Sequence, residues 1–346
     1  MSKQTNEPKG LENILPYLGK LFSVGTEAIQ IKQFKGGYSN LTYLIQTPEK
    51  EYVLRRPPLG LKISKAHDMV REYQVLESLQ KADYSKVPPP VHCCDNENII
   101  GAPFFIMEKV DGLILRNKIP DGLELSKEFF GQLSKNTIDG LLELHQLELE
   151  NSGLINLGKA EGFVERQVLG WSERYFKAKT DEIPEMEKVS EWLKKNMPRE
   201  EAVGFIHNDY KYDNLVLEGS ESPEILAVLD WEMATVGHPL MDLGTSLAYW
   251  CEAGDSDTLK MFNLTYPEGN LSRAEVITYY GSKSPLSMDN MVFYYAFGLF
   301  KVGVIAQQIY KRYKMGFADD SRFAALIHAV RSCGKKAFNS IETQNI

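Results

Sequence analysis

The pattern of apolar residues changes once along the chain, and that change limits the folds open to it. From about Ala28 to Glu108 apolar residues alternate in the manner of strands, with Gly-rich turns between them, whereas beyond about Glu124 their spacing is helical. Two adjoining parts are expected: residues 1–110 as a small lobe built on an antiparallel sheet with one main helix, and residues 111–346 as a larger, mostly helical lobe, an α+β arrangement. "AIQIKQF", "LTYLIQT" and "EYVLRR" read as strands joined by "KGGYSN" and "PEK". "SKAHDMVREYQVLESLQKA" reads as a helix capped by Ser64, and "VPPPVHCC" and "APFFIMEKV" as two further strands. Asp111 and Gly112 mark the turn between the parts. Helices are predicted over 125–148, 161–177, 185–195, 240–252, 288–313 and 318–338.

Composition narrows the function. With 39 basic and 47 acidic residues the formal charge is -8, so neither nucleic acid nor an anionic membrane is an expected partner. The four cysteines, Cys93, Cys94, Cys251 and Cys333, lack metal-ligand spacing, which speaks against a disulfide framework and a zinc site and for a reducing cytoplasm. The start "MSKQTNEPKG" has no apolar core of the kind signal peptides carry. The longest apolar run, "MVFYYAFGLFKVGVIA", is broken by Lys301 and is shorter than the roughly 18 residues that suggest a membrane span, so a buried helix is expected.

Polar chemistry concentrates in "FIHNDYKYDNLVL", residues 205–217, between apolar stretches that read as strand ends. The following "NLVLEGSESPEILAVLDWE" reads as a β-hairpin. A turn centred on Ser222 would set Leu217 opposite Ala227, Leu215 opposite Leu229 and Asn214 opposite Asp230. An amide, that carboxylate and nearby Asp209 form an oxygen set without His or Cys, which suits Mg²⁺ shared with phosphate oxygens. In the earlier lobe, Glu72 falls on the apolar stripe of Met69, Leu76 and Leu79. A carboxylate facing a core requires a cation, and Arg55 or Arg56 on the adjacent strand supplies one.

"HNDYKYDN" followed by "LDWE" resembles the catalytic loop and metal-binding strand end of the protein-kinase-like phosphotransferases, in particular the aminoglycoside phosphotransferase family with its choline and fructosamine kinases. The resemblance extends over most of the chain and implies a bilobal protein-kinase-like fold that uses ATP and Mg²⁺. It implies that Asp209 takes or orients the proton of an acceptor hydroxyl and that Asn214 and Asp230 bind metal. It further implies that His207 packs the loop and that Asp242 braces it from behind. In the first lobe Gly36, Gly37 and Ser39 of "FKGGYSN" would cradle phosphate, and Arg55, where the family usually has lysine, would grip phosphate while paired with Glu72. In "FFIMEKVDG", Met107 would flank the adenine, and the Glu108 carbonyl and Val110 N–H would meet its edge.

"YVLRRPPLG", "REY", "HNDYKYDNL" and "LDWEMATVGHPLMDLG" resemble most the branch whose kinase domains are joined to acyl-CoA dehydrogenases. The expected activity is transfer of the ATP γ-phosphate to a small-molecule hydroxyl, with an anionic or neutral acceptor, including the hydroxyacyl-CoA type. An antibiotic kinase is the first alternative. A nucleotide-binding pseudokinase is the second, suggested by Arg55 but opposed by the joint presence of Asp209, Asn214 and Asp230. Lys301, Lys311, Arg312 and Lys314, with no acidic residue among them, are expected to make the acceptor region unfavourable to polycations.

Overall fold

The computed structural model describes residues 11, 13–34, 40–58, 68–199, 202–317 and 320–346. It divides into two compact units. The first comprises Met1–Asp111, Asn151–Gly153 and Ala227–Met233, and the second comprises Gly112–Glu150, Leu154–Leu226 and Ala234–Ile346.

The first unit is built on five antiparallel strands, β1 (Gln30–Gln33), β2 (Leu41–Gln46), β3 (Glu51–Arg56), β4 (Pro90–Cys94) and β5 (Phe104–Glu108), in the order β1-β2-β3-β5-β4. Tyr43 and Ile45 of β2 are buried two residues apart, as the pleat requires, while central β5 buries Phe104 to Met107 continuously. Helix α1 (Ile14–Phe22) places Ile14 and Leu18 against Tyr43, Ile45, Leu54 and Ile106. The sequence reading did not anticipate this helix. Pro16 reads as a breaker, yet it stands in the first helical turn, where a missing N–H costs nothing.

Helix α2 (Met69–Lys81) packs on β4 and β5 through Met69, Val75, Leu76 and Leu79, with Glu72 on the same buried stripe. Its cap is Asp68, whose carboxylate accepts the Arg71 N–H at 3.0 Å, rather than Ser64, which lies outside the described residues. The phosphate-cradle candidates Gly36, Gly37 and Ser39 also lie outside the described residues.

The second unit contains α3 (Lys127–His145), α4 (Phe163–Ala178), α5 (Pro184–Lys195), α6 (Pro239–Tyr249), α7 (Asp257–Lys260), α8 (Arg273–Lys283), α9 (Met291–Lys314) and α10 (Leu326–Thr343). Every residue of α6 is buried, which makes it a core helix. It crosses α9 at two glycines: a Cβ on Gly244 would lie 2.2 Å from the Tyr294 carbonyl oxygen, and one on Gly298 would lie 2.2 Å from the Gly244 carbonyl oxygen. Among the described residues α9 is the one helix long and apolar enough to cross a membrane, and 78% of that stretch is buried within the protein.

Short strands β6 (Gly204–Ile206) and β9 (Thr235–Gly237) pair antiparallel, and β7 (Leu215–Leu217) pairs with β8 (Ile225–Val228). In that hairpin the Glu218 N–H donates to the Glu224 carbonyl at 2.9 Å, which centres the turn on Glu221. The pairing expected from a Ser222-centred turn, including Asn214 opposite Asp230, is therefore two residues out of register.

Candidate active site

In the first unit, β3 carries Arg55 on its buried side, with Phe105 of β5 as its neighbour in register. Arg55 Nη1 stands 2.8 Å from Glu72 Oε1, and Nη2 stands 2.8 Å from Asp230 Oδ1 and 3.9 Å from Glu232 Oε2. The planar fork grips two carboxylates in different directions, which one ammonium could not do with the same geometry. Asn40 Nδ2 donates to Glu232 Oε2 at 2.9 Å. Asp230 itself has φ +67, a left-handed conformation that a non-glycine residue adopts only when its surroundings enforce it. Its neighbour Trp231 provides that anchoring, donating from Nε1 to the Val228 carbonyl at 2.8 Å and meeting the Tyr84 ring edge-on.

Three carboxylates approach this guanidinium, and burial together with their charges sets the protonation of Glu72. Burial pushes the Glu72 carboxyl up to about 7, with Arg55 pulling it down and the Asp230 charge pushing it further up. Burial works against the Arg55 charge, but Glu72 and Asp230 together hold it above its ordinary value. Arg55→Met should therefore leave Glu72 without its cation. A stability loss of about 3 kcal/mol is expected at pH 8, and a smaller one at pH 5, because Glu72 then binds a proton more tightly folded than unfolded, and that stabilising proton is lost as pH rises. Urea denaturation at the two pH values measures it, and a loss larger at pH 5 would contradict it.

The adenine candidates end the same sheet. Met107 is buried between Val53 and Pro90 in register, the Glu108 side chain meets Lys50 at 2.8 Å, and the Glu108 N–H donates to the Pro89 carbonyl. Among the described residues the Val110 N–H has no backbone hydrogen-bond partner.

In the second unit, the loop after β6 alternates by burial. Tyr210 and Tyr212 are each 1% exposed. Gly140 of α3 leaves room for the Tyr210 hydroxyl, and the Tyr212 hydroxyl donates to Asn270 Oδ1 at 2.8 Å. With alternate residues anchored inward, Asp209, Lys211 and Asp213 keep part of their side chains accessible. Asp209 Oδ2 accepts from Asn214 Nδ2 at 3.0 Å and pairs with Lys211 Nζ at 3.0 Å, while Asn214 Nδ2 also donates to the Asp209 carbonyl at 2.9 Å. Both amide bonds leave from Nδ2, so Asn214 Oδ1 remains the end suited to a cation.

His207 is fully buried, and its Nδ1 accepts the Asp209 N–H at 3.1 Å. Asp242 accepts the His207 and Asn208 N–H groups, each at 2.7 Å, and meets His145 Nε2 at 3.2 Å. Burial alone would raise the Asp242 carboxyl, but His145 and these donors hold it below the usual range.

The structure thus brings together Arg55, Glu72 and Asp230 in one unit, and Asp209 and Asn214 in the other. Lys211 was missed in the sequence, although the alternation D-Y-K-Y-D around two aromatic residues places it on the side of Asp209. Lys301, expected to face the acceptor, is 1% exposed, and its Nζ donates instead to the Asn208 carbonyl at 2.7 Å. Lys311 and Lys314 are likewise engaged, by the Lys177 carbonyl and by Asp181. These cations therefore carry no argument about the acceptor's charge.

The oxygen donors suit magnesium better than a softer metal. Among the described residues no group of three or more His, Cys, Asp or Glu side chains could hold a metal by itself, so phosphate oxygens and water would have to complete the coordination.

Comparison with solved structures finds this architecture repeatedly. A chain from Ralstonia eutropha JMP134 assigned to the aminoglycoside phosphotransferases superposes with TM-score 0.78 and 27% identity, covering 96% of this chain and 98% of that one. Choline kinase from Cryptosporidium parvum gives TM-score 0.59 at 13% identity over 95% and 98%, a likeness of fold alone. Human acyl-CoA dehydrogenase family member 11 is 33% identical over 98% of this chain and 44% of its own length, and mouse family member 10 is 33% identical over 88% and 28%. The chain spans less than half the length of these curated relatives. The family model described as "Phosphotransferase enzyme family" matches residues 30–275, a span that takes in Arg55, Glu72, Asp209, Asn214 and Asp230, and the chain belongs to that family.

Proposed function

We propose that the chain transfers the γ-phosphoryl group of ATP to a hydroxyl of an anionic or neutral small molecule, of the hydroxyacyl-CoA type. The observation that carries the reading is the Asp209 carboxylate, held by Asn214 and Lys211 on a loop whose backbone is fixed by Asp242. A carboxylate fixed in this way orients the acceptor hydroxyl and takes its proton as the oxygen attacks. Lys211, beside it, offers a positive charge to the group being transferred. Arg55 would hold the phosphate chain, itself oriented by Glu72, and Asn214 and Asp230 would hold Mg²⁺, which would supply charge neutralisation on the phosphates. The backbone at Glu108 and Val110 receives the adenine edge beside Met107, and Gly36, Gly37 and Ser39 serve the phosphates. A cytoplasmic location accompanies this reading.

Nucleotide use rests on membership of the phosphotransferase family; structures of the same fold have been solved with GDP or ADP at 15% and 13% identity, a likeness of fold alone. The acyl-CoA class is supported by the relatives named for acyl-CoA dehydrogenases, at about one third identity. Kanamycin occupies one structural neighbour, but that neighbour is 15% identical, which speaks for the fold and not for the acceptor. ADP release measured with Mg·ATP over hydroxyacyl-CoAs, free hydroxy acids, choline, sugars and kanamycin tests the proposal. The hydroxyacyl-CoAs are expected to turn over best, and preferential use of kanamycin would contradict it.

A further inference from the structure

The peptide unit that enters Asp209 is held at both ends. Its N–H donates to His207 Nδ1 at 3.1 Å, and its carbonyl, that of Asn208, accepts from Lys301 Nζ at 2.7 Å. The same ammonium lies 3.2 Å from Asn208 Oδ1. Asn208 has a φ of +67, a left-handed conformation that asparagine adopts more readily than most residues but still at a free-energy cost, which these contacts offset. Asp242 restrains the preceding amides from one side. Lys301, which holds the Asn208 carbonyl, comes from a different element, α9.

We propose that Lys301 is a positioning residue that fixes the left-handed Asn208 peptide and thereby the aim of the Asp209 carboxylate. Its placement follows from packing. The close crossing of α6 and α9 at Gly244 and Gly298 brings α9 within lysine reach of the loop, three residues after Gly298. Trp171 of α4 covers the ammonium, with its ring centroid 5.8 Å from Nζ.

A lysine is a costly way to fill this space if packing is all that is needed. Burial pulls its pKa down to about 8, with Asp242 and Asp209 pulling it back up and Arg174 and Lys211 pushing it lower. Replacing a buried charge together with its partners by apolar groups is often neutral or stabilising, whereas removing the lysine alone takes this donor from the Asn208 carbonyl. A chain that keeps the charge keeps it for the bond to the carbonyl.

This inference rests on the assignment of Asp209 to phosphoryl transfer, and its test has one arm that does not. In the full chain, Lys301→Met should move the thermal midpoint little, since it removes a desolvated ammonium but also the donor to the Asn208 carbonyl. Hydrogen exchange of the segment 207–214 should nonetheless accelerate about tenfold, the effect of one lost charge-assisted bond, with α6 and α9 unchanged. Lys301→Gln, which keeps a donor on a side chain one atom shorter, should fall between wild type and Met. Should the Met variant fail to fold, Gln alone must speed the loop by about threefold.

In the second arm, slow hydrolysis of Mg·ATP with water as acceptor should lose about 10²-fold in kcat in the Met variant, with KM for ATP nearly unmoved. Loop exchange equal to wild type, or exchange raised evenly through α6 and α9, would overturn the proposal. So would a rise in KM with kcat unchanged. A wild-type chain that hydrolyses no ATP and phosphorylates no acceptor would refute the proposed function, leaving the exchange arm to judge Lys301.

Discussion

Asp209→Asn is expected to lower kcat by about 10³-fold while leaving Mg·ATP binding within a few-fold of wild type, because a general base or orienting group acts mainly in the transition state. The replacement suits the site. Both partners meet the same oxygen, Oδ2, and an asparagine amide oxygen set there can accept from Asn214 Nδ2 and Lys211 Nζ together, so neither donor is orphaned. The deep anchors of the loop, His207, Tyr210, Tyr212 and Asp242, are untouched. Loss of rate with unaltered melting would therefore report chemistry. Steady-state kinetics with calorimetric nucleotide binding checks it, and wild-type turnover would remove Asp209 from the mechanism.

Asp230→Ala is expected to act on binding as well as rate. The carboxylate has two tasks in the proposed function, as a metal ligand and as the partner of Arg55 at 2.8 Å. Removing it takes away one anion and leaves the Arg55 fork free to turn wholly toward Glu72. The loss in kcat/KM should be about 10²–10³-fold, the range seen when one electrostatic element of a transferring site is deleted. Mg²⁺-dependent ATP affinity should fall with it. Asn214→Ala should weaken metal-dependent binding less, since it removes a neutral ligand, though it also takes a donor from Asp209. Unchanged metal-dependent ATP binding in Asp230→Ala would place the metal elsewhere.

What the sequence revealed, and what it hid, divides along physical lines. Strands β1 to β5 were legible because alternation and turn residues agree there, and Glu72 was legible because a carboxylate on an apolar stripe demands a cation, found here in Arg55 at 2.8 Å. Helix α1 was hidden by Pro16, since a proline's meaning depends on which turn of the helix it occupies. The start of α2 was misplaced because Ser64 and Asp68 are both competent caps, and only the backbone decides between them. The β7–β8 register went wrong for a similar reason: "EGSESPE" offers several turn centres, and a one-residue shift of the centre moves every pairing by two. Helix α8 announced itself through Ser272 and Glu275, a capping box visible in the sequence but not read.

At the candidate site, the residues carried by a contiguous motif were readable, and those that depend on distant packing were not. Lys301 stands out in any reading as a charge in an apolar run. Periodicity alone cannot say whether its partner is a ligand in a cleft or a carbonyl of the loop.

The central claim, phosphoryl transfer to an acceptor hydroxyl with Asp209 at its centre, is tested most directly by mass spectrometry of the acceptor after incubation with Mg·ATP and a hydroxyacyl-CoA panel, run in parallel with wild type and Asp209→Asn. The account predicts an acceptor that gains one phosphoryl group on its hydroxyl, in step with ADP formed, in the wild type and almost none in the variant. ADP formed without any phosphorylated acceptor across the panel, or equal product from Asp209→Asn, would contradict it.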